Sequence, residues 1–257
     1  MRIALASGPG DALAPRCARV LAEARHELVW LTAEPSAPAL PGVRQVVLAR
    51  SDRDPGHWQK SWHPGTTRAV RKQLREGSIE VLHVLSWRGL SRDLVHAAAR
   101  ERVPALLSLQ DASSSCLLGT RRTPEGEACG VPAAPQPCLA CAARATPTPW
   151  VPPDAQFLAR HTHQLDLDRE LALARRVLVH DAAANAYARR FHAATEVLEL
   201  RAGELDDAEL ARALGAVYAA ALAAGAPDPG AAENPYVALL AEAAAREWDA
   251  AAQRARG

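Results

Sequence analysis

Short apolar runs alternate with longer amphipathic stretches over the first 200 residues of this chain. Ile3–Ala6, Leu28–Leu31, Val46–Leu48, Ile79–Leu85, Ala105–Leu109, Val177–His180 and Glu196–Leu200 are the runs, and their length predicts strands. Ile79–Leu85 is nearly uninterrupted, as a parallel strand buried on both faces should be. Between the runs the period lengthens. Leu13, Cys17, Val20, Leu21 and Ala24 recur at helical spacing behind Gly8-Pro9-Gly10-Asp11, a tight loop in which Asp11 reads as a helix N-cap. Thr66–Arg75, closed by Gly77, is a second helix, and Ser91–Arg100, Glu170–Arg175 and Ala182–Phe191 are further ones. Strands alternating with helices imply parallel pairing through right-handed crossovers. The fold class is therefore α/β, a single Rossmann-like parallel sheet flanked by helices. Sites on such sheets lie outside the carboxyl ends of the strands, which singles out loops 7–11, 49–65, 85–90, 110–116 and 180–182.

Two segments break the alternation. Ser113 to Pro153 is irregular and rich in proline and cysteine, and is read as an insert (113–150) in a domain spanning residues 1–200. After Leu200 no strand pattern appears. Leu210, Leu214, Val217 and Ala221 mark an Ala-rich helix, Ala226–Glu233 is a Pro/Gly linker, and Asn234-Pro235 opens a last amphipathic helix. Residues 201–257 are thus a helical C-terminal extension, with no room for a second Rossmann domain.

Composition narrows the classes. Hydrophobic residues make up 49% of 257, ample for a core, and 30 basic against 29 acidic residues leave +1, which gives no electrostatic case for nucleic acid. Abundant alanine, with Arg favoured over Lys, reads as a GC-rich bacterial genome. No stretch approaches the ~20 apolar residues of a transmembrane helix, and the first apolar run is too short for a signal peptide. The expected location is cytoplasmic. In a reducing compartment cysteines are metal ligands or core residues more often than disulfides.

The sharpest chemical pattern is Cys116-x12-Cys129-x8-Cys138-x2-Cys141. A C-x2-C knuckle supplies two thiolates at the bite tetrahedral zinc needs, and the other two come from a returning loop. Pro124, Gly126, Gly130, Pro132, Pro135 and Pro137 favour turns there. Four cysteines leave no open position, so zinc would be structural; an iron–sulfur cluster, ordinary thiols or a disulfide are the alternatives. Cys17, on an apolar helix face, is a core residue.

Four stretches in order resemble the first half of family 4 glycosyltransferases, retaining enzymes built from two facing Rossmann domains. They are the strand–Gly loop–helix start with Arg25-His26-Glu27-Leu28-Val29, then Val81-Leu82-His83-Val84-Leu85-Ser86-Trp87-Arg88-Gly89-Leu90, then Pro104–Asp111 followed by the cysteines, and Arg175-Arg176-Val177-Leu178-Val179-His180. The resemblance implies an acceptor-binding domain lacking its donor-binding half, with Ala208–Ala223 and Tyr218 like the terminal helix that crosses back onto the first domain. It also makes Asp111 and Gln110 the candidate catalytic pair. Where the family often carries a His, this chain has Gln110, whose amide can hydrogen-bond a hydroxyl but cannot take its proton.

Candidate substrate contacts are Gly8, Gly10, His83, Trp87 and Arg88. The glycines would let backbone approach a ligand, though a plain strand–helix turn explains them equally. His83 inside an apolar strand is also readable as a satisfied core histidine. Trp87 and Arg88 at a strand's carboxyl end suit a sugar or other polar acceptor. His57, Trp58, Trp62 and His63 could line an acceptor loop, and His180 and Asp181 could reach the cleft; His161 and His163 read as surface. The favoured function is a non-catalytic binding or scaffold protein, or accessory subunit, meeting a protein partner or a second copy through an exposed cleft face. The alternative is the acceptor half of a split glycosyltransferase that moves a sugar from a nucleotide-sugar to a hydroxyl. A third reading, a zinc-dependent module for unrelated chemistry, is disfavoured by the closed cysteine set.

Overall fold

The computed structural model describes residues 1–35, 39–49, 63–110, 116, 121–130, 141, 166–180, 185–186, 188–189 and 196–232. Its strands are β1 (Arg2–Ser7), β2 (Glu27–Thr32), β3 (Val43–Val47), β4 (Val81–Val84), β5 (Ala105–Ser108), β6 (Arg176–Val179) and β7 (Val197–Glu199). They form one sheet in the order β3-β2-β1-β4-β5-β6-β7, and every neighbouring pair is parallel. The chain builds outward from β1 to β3, returns to β4, and builds outward again. The order reverses between β1 and β4, which is the switch point of a doubly wound sheet.

Helices cover both faces: α1 (Leu13–Glu23), α2 (Pro64–Glu76), α3 (Leu94–Arg100) and α4 (Asp207–Ala224), with residues 166–173 also helical and a short 3-10 turn at Pro229–Ala232. One apolar layer joins α1 and α4 to the sheet through Ile3, Leu5, Leu106, Leu178, Leu210 and Leu214. The other joins α2, α3 and the 166–173 helix through Val70, Leu74, Leu94, Leu107, Leu167 and Leu173. Residues 207–224 therefore pack on the same sheet, with Leu210, Leu214, Tyr218 and Ala221 buried.

The expected strands all appear, with one shift. β3 runs Val43–Val47 rather than Val46–Leu48. It is a half-exposed edge strand, and its polar Arg44 and Gln45 hide it from a search for apolar runs. α3 begins at Leu94, not Ser91, because the Ser91 and Asp93 side chains are engaged elsewhere and a remote carboxylate caps the helix. Asp11 does cap α1, accepting from the amides of Leu13 and Ala14 at 3.0 Å each. The expected helix after Asn234, and the strand-flanking loops 50–62, 111–115 and 181–184, lie outside the described residues.

α1, α2 and α3 stop in the same way. After each, a residue with positive φ turns the chain, Arg25 (63°), Ser78 (47°) and Arg102 (59°). The paired amide bonds of a Schellman motif accompany each one: Arg25 to Ala22 and His26 to Leu21, Ser78 to Arg75 and Ile79 to Leu74, Arg102 to Ala99 and Val103 to Ala98. The device drops the chain straight into the next strand. In all three places a side-chain-bearing residue stands where glycine is usual.

Candidate functional site

The switch point places the β1–α1 and β4–α3 loops side by side, and they touch. A Cβ at Gly8 would stand 1.9 Å from the carbonyl oxygen of Arg88 and 2.8 Å from its Cβ. Gly8 is therefore glycine because another backbone passes over it. Gly10 differs: it is exposed, with φ at 73° and nothing within 4 Å of where a Cβ would stand, so it serves the turn itself.

The other sequence candidates divide between core and surface. Trp87 does not face the crevice as expected: its indole is 4% exposed and packs in the α2/α3 layer, because the tight turn Trp87–Leu90 (Leu90 N–H to Trp87 carbonyl, 2.8 Å) folds it inward. Arg88 is exposed. Gln110 donates through Nε2 to the Leu85 carbonyl at 2.8 Å, tying the ends of β4 and β5 together. Asp111, His57, Trp58, Trp62, His161, His163 and Asp181 lie outside the described residues. His63 caps α2, its Nδ1 accepting from the Thr66 amide at 3.2 Å ahead of Pro64 in the first turn.

His83 is also not at a ligand surface; it is fully buried. Its side chain shares the α1/α4 face of the sheet with Ser108 of β5 and His180 at the end of β6. Tyr218 of α4 closes over it, ring edge to ring at 5.7 Å. Hydrogen bonds link Tyr218 Oη to His83 Nδ1 (2.9 Å), His83 Nε2 to Ser108 Oγ (2.8 Å), and Ser108 Oγ to His180 Nε2 (2.7 Å). Burial, then the neighbouring His180, push the His83 proton affinity down to about 3, so its imidazole is neutral at any ordinary pH. Burial holds Tyr218 protonated, its pKa well above the usual phenol value. Cys17, in the same layer, is a core thiol as expected, its pKa pushed up to about 12 by burial and then by Asp11.

The opposite face holds buried carboxylates that the sequence reading missed. Asp93 accepts from the hydroxyls of Ser91 (2.5 Å) and Thr67 (2.7 Å), clamping the start of α3 to α2; burial raises its pKa. Glu170, fully buried on the 166–173 helix, accepts from the amides of Val95 (2.6 Å) and His96 (2.9 Å) and so caps α3 from outside it. Burial pushes Glu170 up to about 8 against the pull of those two amides. Glu170 stands beside Asp166, Asp168 and Arg169 in this helix, so no local signal in the sequence set it apart.

Of the four cysteines in the insert, Cys116, Cys129 and Cys141 are described and are half-buried, while Cys138 lies outside the described residues. Cys129 ends a small hairpin, its amide bonded to the Arg121 carbonyl at 2.8 Å, with Gly126 at φ 89° in the turn. Among the described residues no group of three or more His, Cys, Asp or Glu side chains is gathered as a metal site. None of their helices is long and apolar enough to cross a membrane.

The fold is a doubly wound α/β domain in which, among the described residues near the strands' carboxyl ends, His83, Ser108, His180 and Gln110 bond within the protein. No family model matches the sequence, and no curated protein does. Among solved structures, a fragment of sucrose-phosphate synthase from Thermosynechococcus elongatus is similar at 14% identity and a TM-score of 0.49, covering 85% of this chain and 98% of that one. A longer form of the same enzyme is similar at 14% identity and a TM-score of 0.44, covering 77% of this chain and 47% of that one. A 3-alpha-hydroxysteroid dehydrogenase from Pseudomonas sp. B-0831 is similar at 12% identity and a TM-score of 0.35, covering 85% and 88%. Likenesses this distant carry no argument about function.

Proposed function

We propose that this chain is a non-catalytic binding or accessory protein, built on a domain like the acceptor-binding half of a family 4 glycosyltransferase. Its partner is another protein or a second copy meeting the carboxyl-end face. The observation that supports this reading is where the polar side chains go. His83 is committed to Tyr218 and Ser108, Gln110 to Leu85, and the Gly8 loop to Arg88. His83 and Gln110, which could otherwise bind a sugar hydroxyl, are thus spent inside the fold. Titration calorimetry with nucleotide-sugars and free nucleotides is the test. No binding is expected, and micromolar binding would overturn the accessory reading. Sedimentation over a range of concentrations should then show self-association or a stable partner complex; a strict monomer with no partner would count against it.

Exposed Arg88 supports the second reading, the acceptor half of a split glycosyltransferase, with Arg88 and Asp111 toward a hydroxyl-bearing acceptor. Sugar transfer restored by adding a donor-half chain, and lost again with Asp111→Asn, would favour it. For the insert we keep structural zinc on Cys116, Cys129, Cys138 and Cys141, a reading that rests on their spacing and suits a reducing, cytoplasmic setting. Metal analysis of the purified chain should find one zinc per molecule and less in Cys129→Ser; a metal-free folded chain would end that reading.

A further inference from the structure

We propose that the cleft at the C-terminal end of α3 binds a small phosphate ester, its phosphate held by His96, Arg100 and Arg102 and a hydroxyl held by Asp228. The cleft lies where the chain leaves α3 for β5, at the end of the sheet opposite the switch point. It is separate from the crevice described above, and the proposal does not depend on the accessory reading. The cleft measures about 430 Å3, with His96, Arg100 and Arg102 on one wall and Asp228 to Gly230 of the 3-10 turn on the other. That volume is in the range of small-molecule sites.

Charge on the α3 wall is the main argument. Among the described residues no carboxylate pairs with Arg100 or Arg102, and both side chains are exposed. The neighbouring carboxylates are already engaged. Glu101 takes two guanidinium groups from α2, Arg71 at 2.5 Å and Arg75 at 2.9 Å, and Asp166 takes Arg169 at 2.9 Å. At the other end of α3, Asp93 is turned to the hydroxyls of Ser91 and Thr67. Glu170, which accepts from the His96 amide, is held largely protonated at neutral pH by its burial. His96 registers the result. Burial, then Arg169, Arg100 and Arg71 from three different helices, push its pKa down to about 4. A doubly charged oxyanion placed between His96, Arg100 and Arg102 relieves that repulsion and accepts charge-assisted hydrogen bonds from both guanidinium groups.

The facing wall sets the rest of the ligand. Asp228 Oδ1 accepts from the Gly230 amide at 3.0 Å, which leaves Oδ2 as an acceptor turned to no described donor. A carboxylate there repels the phosphate toward α3 and suits a hydroxyl of the same molecule. Binding is also linked to protonation. An anion beside His96 raises its proton affinity, so the complex takes up a proton that the free chain does not hold. Affinity for an anion of fixed charge should therefore rise as pH falls from neutral toward about 4.

The test is proton–carbon NMR of the histidine rings in the full chain, with His96→Gln assigning the His96 signals. Sodium sulfate, whose charge does not change over the range, is the first probe, and sodium chloride at equal ionic strength is the control. The His96 shift should saturate with sulfate, and its titration midpoint should move up. Arg100→Gln and Arg102→Gln should each weaken binding about tenfold, as for one lost charge-assisted hydrogen bond. Arg19→Gln, the same charge change on the opposite face of the sheet, should leave it unaltered. Glycerol 2-phosphate should bind more tightly than sulfate at neutral pH and lose that lead in Asp228→Ala. The site is overturned by the absence of a saturable shift beyond the chloride control, by a His96 midpoint that does not rise, or by equal weakening in Arg19→Gln. An ester that binds no better than sulfate would overturn the ligand assigned to it.

Discussion

At Gly8 the room for even one carbon is missing. The carbonyl of Arg88 passes where a Cβ would go, at 1.9 Å, and it belongs to backbone rather than to a side chain that can swing away. Gly8→Ala must push apart the two loops that meet at the switch point. A loss of about 1–3 kcal/mol is expected, the usual range for overpacking, read as a lower midpoint in urea unfolding. Wild-type stability in the alanine variant would mean the loops do not touch in solution. Gly10→Ala should instead show only the smaller cost of a left-handed turn residue, since nothing crowds it.

At the scale of elements, the helix ends make separable contributions. Arg25 and Arg102 sit at left-handed φ of 63° and 59° in Schellman turns, where a side chain is strained and glycine is not. Arg102→Gly and Arg25→Gly should each stabilise the fold by about 0.5–1 kcal/mol, the strain relieved being partly offset by the freer unfolded chain. Thermal or urea unfolding measures this, and a loss of stability would point to an unrecognised role for the side chain. The start of α4 works the other way. Asp206 and Glu209 form a capping box with bonds of 2.8 and 3.0 Å. Asp206→Ala should cost about 1 kcal/mol, typical of a lost cap. Just outside α4, Arg16 of α1 donates to the carbonyls of Ala202 (2.5 Å) and Leu205 (2.6 Å) and to Asp207 (2.9 Å). That clasp ties α4, which begins after β7, to α1 at the front of the chain.

For the whole molecule, two buried groups on opposite faces of the sheet set opposing pH dependences. His83 titrates at about 3 in the fold against 6.5 without it. Between those values the unfolded chain holds more protons, so this contribution to stability is lost as pH falls from 6.5 toward 3. Glu170 titrates at about 8 against 4.5. Between those values the folded chain holds more protons, so its contribution is lost as pH rises from 4.5 toward 8. Each slope approaches about 1.4 kcal/mol per pH unit at most. Those two cancel where they overlap, but His96, lowered by burial to about 4 from 6.5, adds a further loss toward acid there, so stability should climb from about pH 4 to 6.5 and fall above it. Denaturant unfolding across this range measures it. Glu170→Gln should flatten the alkaline limb, whatever its effect on the overall level; an unchanged limb would mean Glu170 is ionised in the fold.

Local chemistry was enough to place six of the seven strands, the described helices between them, the parallel class, the cap at Asp11 and the stop of α2 at Gly77. Each of these depends on neighbours a few residues away, through side-chain period or a missing amide partner. The edge strand β3 was misplaced by the same logic, because an exposed strand has no apolar run to betray it. What the candidate site residues do was decided only in three dimensions. A histidine in an apolar strand can serve a ligand or the core, and that choice depends on whether Tyr218, 135 residues later, arrives above it. Glycine before a helix can admit a phosphate or a passing backbone, and Arg88 settles which. Glu170 is an ordinary helix residue until α3 presents two amides to it. A buried polar group takes its role from the partner that desolvates it, and partners distant in sequence are brought together only by the packing of the sheet's two faces.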